Sequence, residues 1–502
     1  MKKHAVLLGF SFLLSKILGL VRDNLLAAKF GASANAGIAT FNLDSYYAAF
    51  RIPDLLFNLL SYGVLSAAFV PLFVEILKKE SRDNAFRFAN EILHTLGVII
   101  IVISAGLILL TGPLLKLFVP GFAPENFAVT VHLTRLMSVT PIFFTIGAIA
   151  SGIQNSFHVF WGLALAPIMY NLGIIGGILF FTNQYGVYGI AIGVGVGAFL
   201  NMAVQIPVIM RLGFRYQFPK QWWGPRIKEM IILSLPRILG MSVQQFSLIV
   251  DTIIASTLTA GSITIINFAS NLESLPLGII GISVAVVSFG TLAGFAADNR
   301  TADLAKEVST NIRRILFLLI PLTAGMFLLR EEIVQLLLEY GKFTAGDTLI
   351  TANTLGIFLL GLAFTGTVFL LARAFYALKN TKIPVLVSVT AVGINIALSL
   401  ILTKIFSFAT YGLAFANSVA DIFNAVLLGI LLSKRIKMPI VEGKEILKLL
   451  IATLLMSLAV TFAKQTFALW LPLQISLLAI IGAGIYFGTI LLFNSSKKDI
   501  AK

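Results

Sequence analysis

The chain has 502 residues, of which 58% are hydrophobic and only 12% are charged, and its formal net charge is +15. Soluble globular domains carry about 25% charged residues, so this composition excludes an ordinary soluble protein and predicts an integral membrane protein. The sequence contains no cysteine, which excludes disulfides, thiol catalysis and thiolate metal sites.

Apolar stretches long enough to cross a bilayer recur from the beginning of the sequence to its end. The first follows the letters MKKH, but it contains Lys16 and Arg22 and lacks a small-residue cleavage site, so we interpret it as a retained span and not as a signal peptide. The predicted fold is all-α, a polytopic membrane protein with 14 transmembrane helices. The predicted spans are 5–26, 43–77, 91–118, 127–153, 158–182, 186–211, 228–257, 262–293, 312–337, 348–376, 383–405, 410–433, 446–464 and 470–493.

The basic residues predict the orientation of these spans. Most of the 37 Lys and Arg residues fall in alternate connecting segments, among them 211–228, 300–314 and 434–448. Short cytoplasmic loops are enriched in Lys and Arg, so both termini are predicted to be cytoplasmic. Topology and attraction to anionic headgroups explain the basic excess, and no nucleic-acid partner is predicted. The segment 211–229 mixes basic and aromatic residues, as is typical of an interfacial helix or belt that anchors in lipid.

The sequence also repeats itself at an interval of 221–223 residues. The letters KILG at 16–19 recur as RILG at 237–240, and Pro53 matches Pro276. A nearly constant interval indicates two related halves of equal orientation. The predicted organisation is an N-terminal lobe at 1–211 with spans 1–6, a cytoplasmic interfacial linker at 212–227, a C-terminal lobe at 228–433 with spans 7–12, and spans 13–14 with a cytoplasmic tail at 434–502.

Ionisable side chains inside the predicted spans are costly and therefore indicate function. Their spacing follows single helix faces: Lys16 and Asp23 are seven residues apart. The second span carries a similar stripe, formed by Asp44, Arg51, Asp54 and Asn58. Because the basic members fall near mid-depth, we predict a water-filled cationic cavity that suits phosphate and therefore an anionic lipid headgroup. The candidate substrate-binding residues are Lys16, Arg22, Asp23, Asp44, Arg51, Asp54, Arg237, Asn271 and Glu273.

Two other interpretations of these polar residues stay open. The charged groups can instead pair with one another and hold helices together. Asp251 and Asn395 form a candidate cation site, with Asp421 a weaker candidate, although ordinary interhelical hydrogen bonds explain them equally well. The sequence has no Walker loop, and its four histidines are scattered. We therefore predict a protein that is not an enzyme and binds no cofactor.

Four segments carry a resemblance to a known family. They read SKILGLVRD at 15–23, DSY at 44–46, FRIPDLL at 50–56 and SAAFVP at 66–71. Together they resemble the MurJ (MviN) family of lipid II flippases, within the multidrug/oligosaccharidyl-lipid/polysaccharide exporter superfamily, over essentially the whole chain. The resemblance implies fourteen spans, two six-span lobes that open alternately, and a central cationic cavity for the diphosphate and sugars of lipid II. It also implies functional basic groups at Arg22 and, by conservative change, at Lys16.

The same resemblance implies where the protein works and with what. It implies the bacterial inner membrane, and a groove beside the last two spans for the polyprenyl tail. The expected function is to move lipid II from the cytoplasmic to the outer leaflet by alternating access. The expected partners are the lipid-linked precursor with its diphosphate and polyprenyl tail, membrane lipids and, as candidates, cell-wall synthesis proteins.

One departure from the family pattern leaves the substrate open. The family letters ADRL read ASNL at 269–272, so Asn271 stands in the place of an arginine. We hypothesise that Arg237 or Arg51 restores the missing charge. Two other functions remain as alternatives. One is a flippase for lipid-linked polysaccharide units, which would also need a cationic cavity. The other is a cation-coupled drug antiporter, which would need an acidic or aromatic pocket.

Overall fold

A computed structural model describes residues 2–32, 43–59, 68–219, 222–439, 443–467 and 470–499, with the backbone alone at 2–6, 236, 237, 239–241 and 494–499. These residues form helices and no β-strand, which confirms the all-α fold class. The first eleven helices are α1 (Lys2–Phe30), α2 (Leu43–Phe57), α3 (Val70–Lys79), α4 (Arg82–Phe118), α5 (Pro124–Met137), α6 (Thr140–Ser156), α7 (Trp161–Gly176), α8 (Thr182–Tyr185), α9 (Val187–Ala203), α10 (Ile206–Arg211) and α11 (Pro225–Ser256). The others are α12 (Ser262–Pro276), α13 (Ser283–Ala297), α14 (Thr301–Leu328), α15 (Arg330–Leu338), α16 (Ala345–Ala377), α17 (Lys382–Leu400), α18 (Ala409–Ile436), α19 (Gly443–Thr466) and α20 (Leu471–Asp499).

The described residues include 11 helical segments that are long and apolar enough to cross a membrane. The chain is therefore a multi-pass membrane protein. The predicted spans 5–26, 43–77 and 228–257 each include residues or side chains outside the described part, so the total of fourteen stays a prediction. Several predicted spans are not single helices: 127–153 covers α5 and α6, 186–211 covers α9 and α10, and 312–337 covers the end of α14 at Leu328 and α15, which starts at Arg330. Glu331 and Glu332 in the first turn of α15 favour a new start there, since acidic side chains stabilise a helix N-terminus.

The chain divides into two compact units. The first comprises Met1–Thr264 with Tyr340–Phe343, and the second comprises Ile265–Glu339 with Thr344–Lys502. Helix α11 belongs to the first unit, whereas the sequence repeat assigns it to the C-terminal lobe. The lobe boundaries derived from the repeat stay a prediction.

Glycines let α7 and α9 pack at backbone contact inside the first unit. A Cβ atom placed on Gly173 would lie 2.3 Å from the Cα of Gly197, and one on Gly177 would lie 2.4 Å from the Cα of Gly193. Small residues spaced by four allow such close approach, and helices in membranes associate largely through packing of this kind. The contact holds α7 in place, and α7 carries a residue of the candidate site described below.

Among the described residues, π-helical segments interrupt the α-helices at Gly177–Phe181, Leu277–Ile282 and Ile401–Ile405. The first segment follows α7 and the third follows α17, and the distance between them along the sequence is close to the repeat interval of 221–223 residues. The second corresponds, at the same interval, to the end of α2, where residues 58 and 59 are also π-helical. This correspondence supports the internal repeat. In the first segment the carbonyl of Ile178 accepts hydrogen bonds from Lys29 Nζ at 2.9 Å and from Thr182 Oγ1.

In the second unit an apolar groove of about 380 Å³ lies among α14, α19 and α20. Its wall includes Phe317, Met456 and Tyr486, and the Tyr486 hydroxyl donates to the carbonyl of Phe317 at 2.8 Å. The helices that follow the repeat, α19 and α20, pack against each other and against α14. The groove therefore lies beside the last two helices.

The sequence predicted an interfacial helix or belt between α10 and α11. Residues 214–219 are not helical; they are irregular and lie along α4. Asn90 of α4 holds this segment, because its Nδ2 donates to the carbonyl of Arg215 at 3.0 Å and its Oδ1 accepts from the backbone N–H of Gln217 at 3.1 Å. Arg226 pairs with Glu80 at 2.5 Å and keeps the pKa of that carboxyl below its usual range. Residues 214–219, which we call the clasp, are thus held against α4 by hydrogen bonds between their backbone and the side chain of Asn90.

Replacing Asn90 by Ala should loosen the clasp. Asn90 is 3% exposed, and its replacement removes both hydrogen bonds to this segment, so we expect a loss of about 1–3 kcal/mol of stability. Thermal unfolding of the detergent-solubilised protein should show a lower Tm, and limited proteolysis should cut faster within 212–224. Arg87→Ala, at an exposed position of the same helix, is the control and should stay within about 0.5 kcal/mol of wild type. Equal effects of both variants would contradict the clasp.

Candidate functional site

An arginine and an aspartate form a buried ion pair on α1. Arg22 donates to the same carboxylate oxygen of Asp23 twice, from Nε at 2.9 Å and from Nη2 at 2.8 Å. The side chains are 21% and 6% exposed, so both charges are largely removed from solvent. Heptad spacing placed Lys16 on the face of Asp23, yet the aspartate pairs with its immediate neighbour. A long guanidinium side chain can reach around the helix surface, and a planar one can donate two bonds at once.

Asn171 of α7 holds the arginine from the other side. Its Oδ1 accepts from Arg22 Nη1 at 3.3 Å, while its Nδ2 donates to the backbone and hydroxyl oxygens of Ser15 and to the carbonyl of Pro167, at 3.1–3.2 Å. These bonds fix the orientation of the amide, and α1 and α7 pack side by side. Asn171 was not among the predicted residues, although a polar residue inside an apolar helix is a signal that could have identified it.

Lys16 lies less than two turns before Arg22 and is half-buried. The described residues include no carboxylate within ion-pairing distance of Lys16; its ammonium lies over the ring of Phe12, 5.8 Å from the centroid. Lys16 is close enough to Arg22 for the two cations to repel each other. Helix α1 therefore carries two neighbouring cations: Arg22 is paired with a carboxylate, and Lys16 is not within ion-pairing distance of one among the described residues.

The second helix contributes a third cation. Arg51 of α2 donates from Nε to the hydroxyl of Thr252 on α11 at 3.0 Å, and it also interacts electrostatically with Asp54 and Asp251. Asp54 accepts from Asn58 Nδ2 at 2.9 Å.

The half-buried side chain of Tyr47 joins these residues to the first helix, because it lies within electrostatic range of both Arg22 and Arg51. We name Lys16, Arg22 and Arg51, with their partners Asp23, Asp54, Tyr47, Asn171 and Thr252, the basic cluster.

Asp44 has a different environment. Its Oδ2 accepts from the backbone N–H of Gly261 at 2.7 Å, and its Oδ1 accepts from the backbone and hydroxyl groups of Thr264 at 2.8 and 2.6 Å. Residues 262–264 form the first turn of α12, where N–H groups lack helical partners and favour a carboxylate. We infer a capping role for Asp44, whereas the sequence analysis proposed a substrate contact.

The other predicted residues fall elsewhere. Asp251 belongs to the first unit, whereas Asn271, Glu273 and Asn395 belong to the second. In the second unit Glu273 lies in electrostatic range of Asp421, which accepts from Thr365 Oγ1 at 2.6 Å. The side chain of Arg237 lies outside the described residues. The predicted cation site at Asp251 and Asn395 stays a prediction, as does compensation by Arg237.

The basic cluster has a chemistry of its own. Guanidinium groups with little solvent around them bind phosphate oxygens strongly, through charge and paired hydrogen bonds. A neighbouring ammonium adds a point charge, and a tyrosine hydroxyl can donate a further hydrogen bond. The cluster therefore suits an anion with several oxygens.

Known proteins resemble this chain over nearly its full length. A family described as "Lipid II flippase MurJ" matches residues 27–481. A probable lipid II flippase MurJ of Rhizobium tropici is 32% identical over 86% of this chain and 81% of its own length, and one of Thermotoga maritima is 30% identical over 93% and 91%. The chain belongs to the MurJ family. The resemblance noted in the sequence is thereby confirmed.

Solved structures agree with this family assignment. A lipid II flippase MurJ in an inward closed conformation matches 99% of this chain and 100% of its own, with a TM-score of 0.84 and 27% identity. An inward-facing multidrug resistance MATE family transporter of the MOP superfamily matches 84% of this chain and 94% of its own, with a TM-score of 0.72 and 12% identity. At that identity the second likeness shows a shared fold alone. This chain therefore has the same fold as that transporter.

Proposed function

We propose that this protein is a lipid II flippase of the bacterial inner membrane, which moves the lipid-linked cell-wall precursor from the cytoplasmic to the outer leaflet by alternating access. The observation that carries the proposal is the basic cluster, buried within a membrane-embedded unit of a MurJ family chain. A diphosphate that crosses a bilayer needs shelter from hydrocarbon, because an unpaired charge there is expensive. Lys16, Arg22 and Arg51 supply that shelter.

The remaining architecture supports the same proposal. We propose fourteen spans: the 11 apolar segments together with 5–26, 43–77 and 228–257, whose mean hydropathy is lowered by charged residues. We propose that both termini are cytoplasmic, because Lys and Arg residues are concentrated in alternate loops. The groove beside α19 and α20 is apolar and fits a polyprenyl tail. Transport needs no catalytic group in this scheme: the protein binds, reorients and releases its substrate, so we propose that it is not an enzyme.

The decisive experiment is depletion of the resident flippase in a bacterial host that expresses this chain. Wild type should restore wall synthesis and growth. Lys16→Gln should abolish rescue, because it removes the cation that lacks a carboxylate partner, whereas Lys16→Arg should retain it. Arg135→Gln is the matched control: Arg135 is exposed and donates to the carbonyl of Ile108, so its loss should be tolerated. Failure of wild type to flip lipid II in vesicles, with transport of polysaccharide units or drugs instead, would favour one of the two alternatives.

A further inference from the structure

A polar cavity lies in the first unit, and none of the lining residues that the structure describes belongs to the basic cluster. It has a volume of about 470 Å³ and lies among α2, α3, α6, α7, α9 and the start of α10. We name it the amide pocket, after Asn155, Asn201 and Gln205, which line it together with Ser151 and the rings of Phe57 and Phe144. The proposed movement of a phosphate does not by itself require this cavity.

The amide pocket is polar but uncharged. None of its described lining residues carries an ionisable side chain. Its polar groups are side-chain amides and one hydroxyl, which both donate and accept hydrogen bonds. A carboxylate or phosphate would lose its hydration there without gaining a countercharge, so the pocket suits a neutral ligand. Small-molecule sites in proteins typically combine apolar walls with a few fixed polar groups of this kind.

A hydrogen-bond network fixes the direction of these amides. Gln205 Oε1 accepts from Ser151 Oγ at 2.6 Å and from Gln154 Nε2 at 3.1 Å. Gln205 Nε2 in turn donates to the backbone oxygen of Asn201 at 3.0 Å and to its Oδ1 at 3.4 Å. With Oδ1 occupied as an acceptor, Asn201 has its Nδ2 donors left, and the part of the chain that the structure describes offers them no acceptor. The network therefore leaves donors for a ligand.

Glycine keeps this wall open. A Cβ atom on Gly147 would lie 3.0 Å from Gln205 Nε2 and 3.2 Å from Asn201 Oδ1, so any larger residue would press on the amides. The rings of Phe57 and Phe144 also line the pocket, and they lie 4.5 Å apart between centroids, inclined at 38°. A cavity that combines aromatic rings with side-chain amides suits a sugar ring, whose C–H faces are apolar and whose edges carry hydroxyls.

Two helices connect the pocket to the basic cluster. On α2, Phe57 follows Arg51 by six residues, which is about 9 Å along the helix. On α7, Pro167 lines the pocket and precedes Asn171, the partner of Arg22, by four residues, about 6 Å. The pocket is therefore one to two helical turns from the cations, toward the end that is predicted to be cytoplasmic. A sugar attached directly to a diphosphate would lie at this distance.

We propose that the amide pocket binds an uncharged N-acetylated sugar ring of the lipid-linked precursor while the diphosphate contacts the basic cluster. The inference rests on the proposed function and adds to it a means of recognising the headgroup. The N-acetyl group matches the pocket because its carbonyl accepts from Asn201 Nδ2. The stem peptide of the precursor does not match, because it carries carboxylates.

The test compares two ligands on purified protein in lipid nanodiscs: lipid II, and a polyprenyl diphosphate of equal chain length without sugars. Asn201→Leu should weaken lipid II binding by about 3- to 10-fold, as expected for a lost neutral hydrogen bond, and leave polyprenyl diphosphate binding unchanged. Arg51→Gln should weaken both ligands, because both carry the diphosphate. Asn155→Ala, at the exposed rim of the pocket, should repeat the selective pattern of Asn201→Leu and covers the case in which that variant fails to fold.

The outcomes separate the two proposals. If wild type binds no lipid II, the proposed function fails. If wild type binds lipid II but the pocket variants weaken both ligands equally, or neither, the sugar pocket is overturned and the flippase proposal stands.

Discussion

Arg22→Gln should reduce lipid II transport by roughly 30-fold or more, because removal of one member of a buried, hydrogen-bonded charge pair costs about 2–5 kcal/mol. Part of that loss would be structural. Asp23 would stay 4% exposed without its cation, and an uncompensated buried charge destabilises a fold strongly. A loss of activity in the single variant therefore cannot distinguish a substrate contact from a simple ion pair.

The double variant Arg22→Gln/Asp23→Asn separates the two roles. Replacing both members of a buried ion pair by neutral groups is often harmless to stability, so the double variant should recover the Tm that the single variant loses. Transport should stay low, because the diphosphate loses a guanidinium. Rates measured in vesicles and unfolding measured in detergent provide the two readouts. Recovery of both stability and transport would show that Arg22 serves only to neutralise Asp23.

Gly173→Ala should destabilise the protein by about 1–3 kcal/mol or more, although alanine is the better helix former. The added Cβ would lie 2.3 Å from a backbone atom of α9, so no side-chain rotation relieves the clash, and α7 must move away from α9. That movement would also shift Asn171 on α7 and, with it, the bond to Arg22. We expect a lower Tm together with weaker transport.

Gly176→Ala is the matched control on the same helix. A Cβ at Gly176 has no atom within 4 Å, so the change should be neutral or stabilise the protein by up to about 1 kcal/mol. The two alanines thus have opposite predicted signs within one turn. Similar effects in both variants would mean that general helix propensity, and not contact between α7 and α9, decides the stability here.

The sequence predicted much of the fold for a simple physical reason. Whether a segment crosses a bilayer depends on its length and apolar content, and both are properties of consecutive residues. Eleven of the predicted spans match helices long and apolar enough for this role. The break between α14 and α15 was missed because Leu329 differs little in hydropathy from its neighbours, while only its backbone angles end the helix.

Side-chain partners were harder to predict. Helical spacing put Lys16 and Asp23 on one face, and it put Asp44 in a stripe with Arg51. In the structure Asp23 binds Arg22, while Asp44 caps residues that are more than 200 positions away. Periodicity describes one helix alone, whereas a hydrogen bond depends on which second helix approaches and at what height. Asn171 and Thr252 were missed for the same reason.

By itself, the sequence determined that this chain crosses a membrane many times and buries basic residues within it, since charge and hydrophobicity can be read residue by residue. Only the tertiary structure decided that Arg22 is paired and held by Asn171, that Lys16 has no carboxylate beside it among the described residues, and that four uncharged polar side chains meet around a cavity. Those facts depend on distances between helices. The glycine contacts fix one such distance, because α7 and α9 lie so close that a single added methyl group on Gly173 would clash with the backbone of α9.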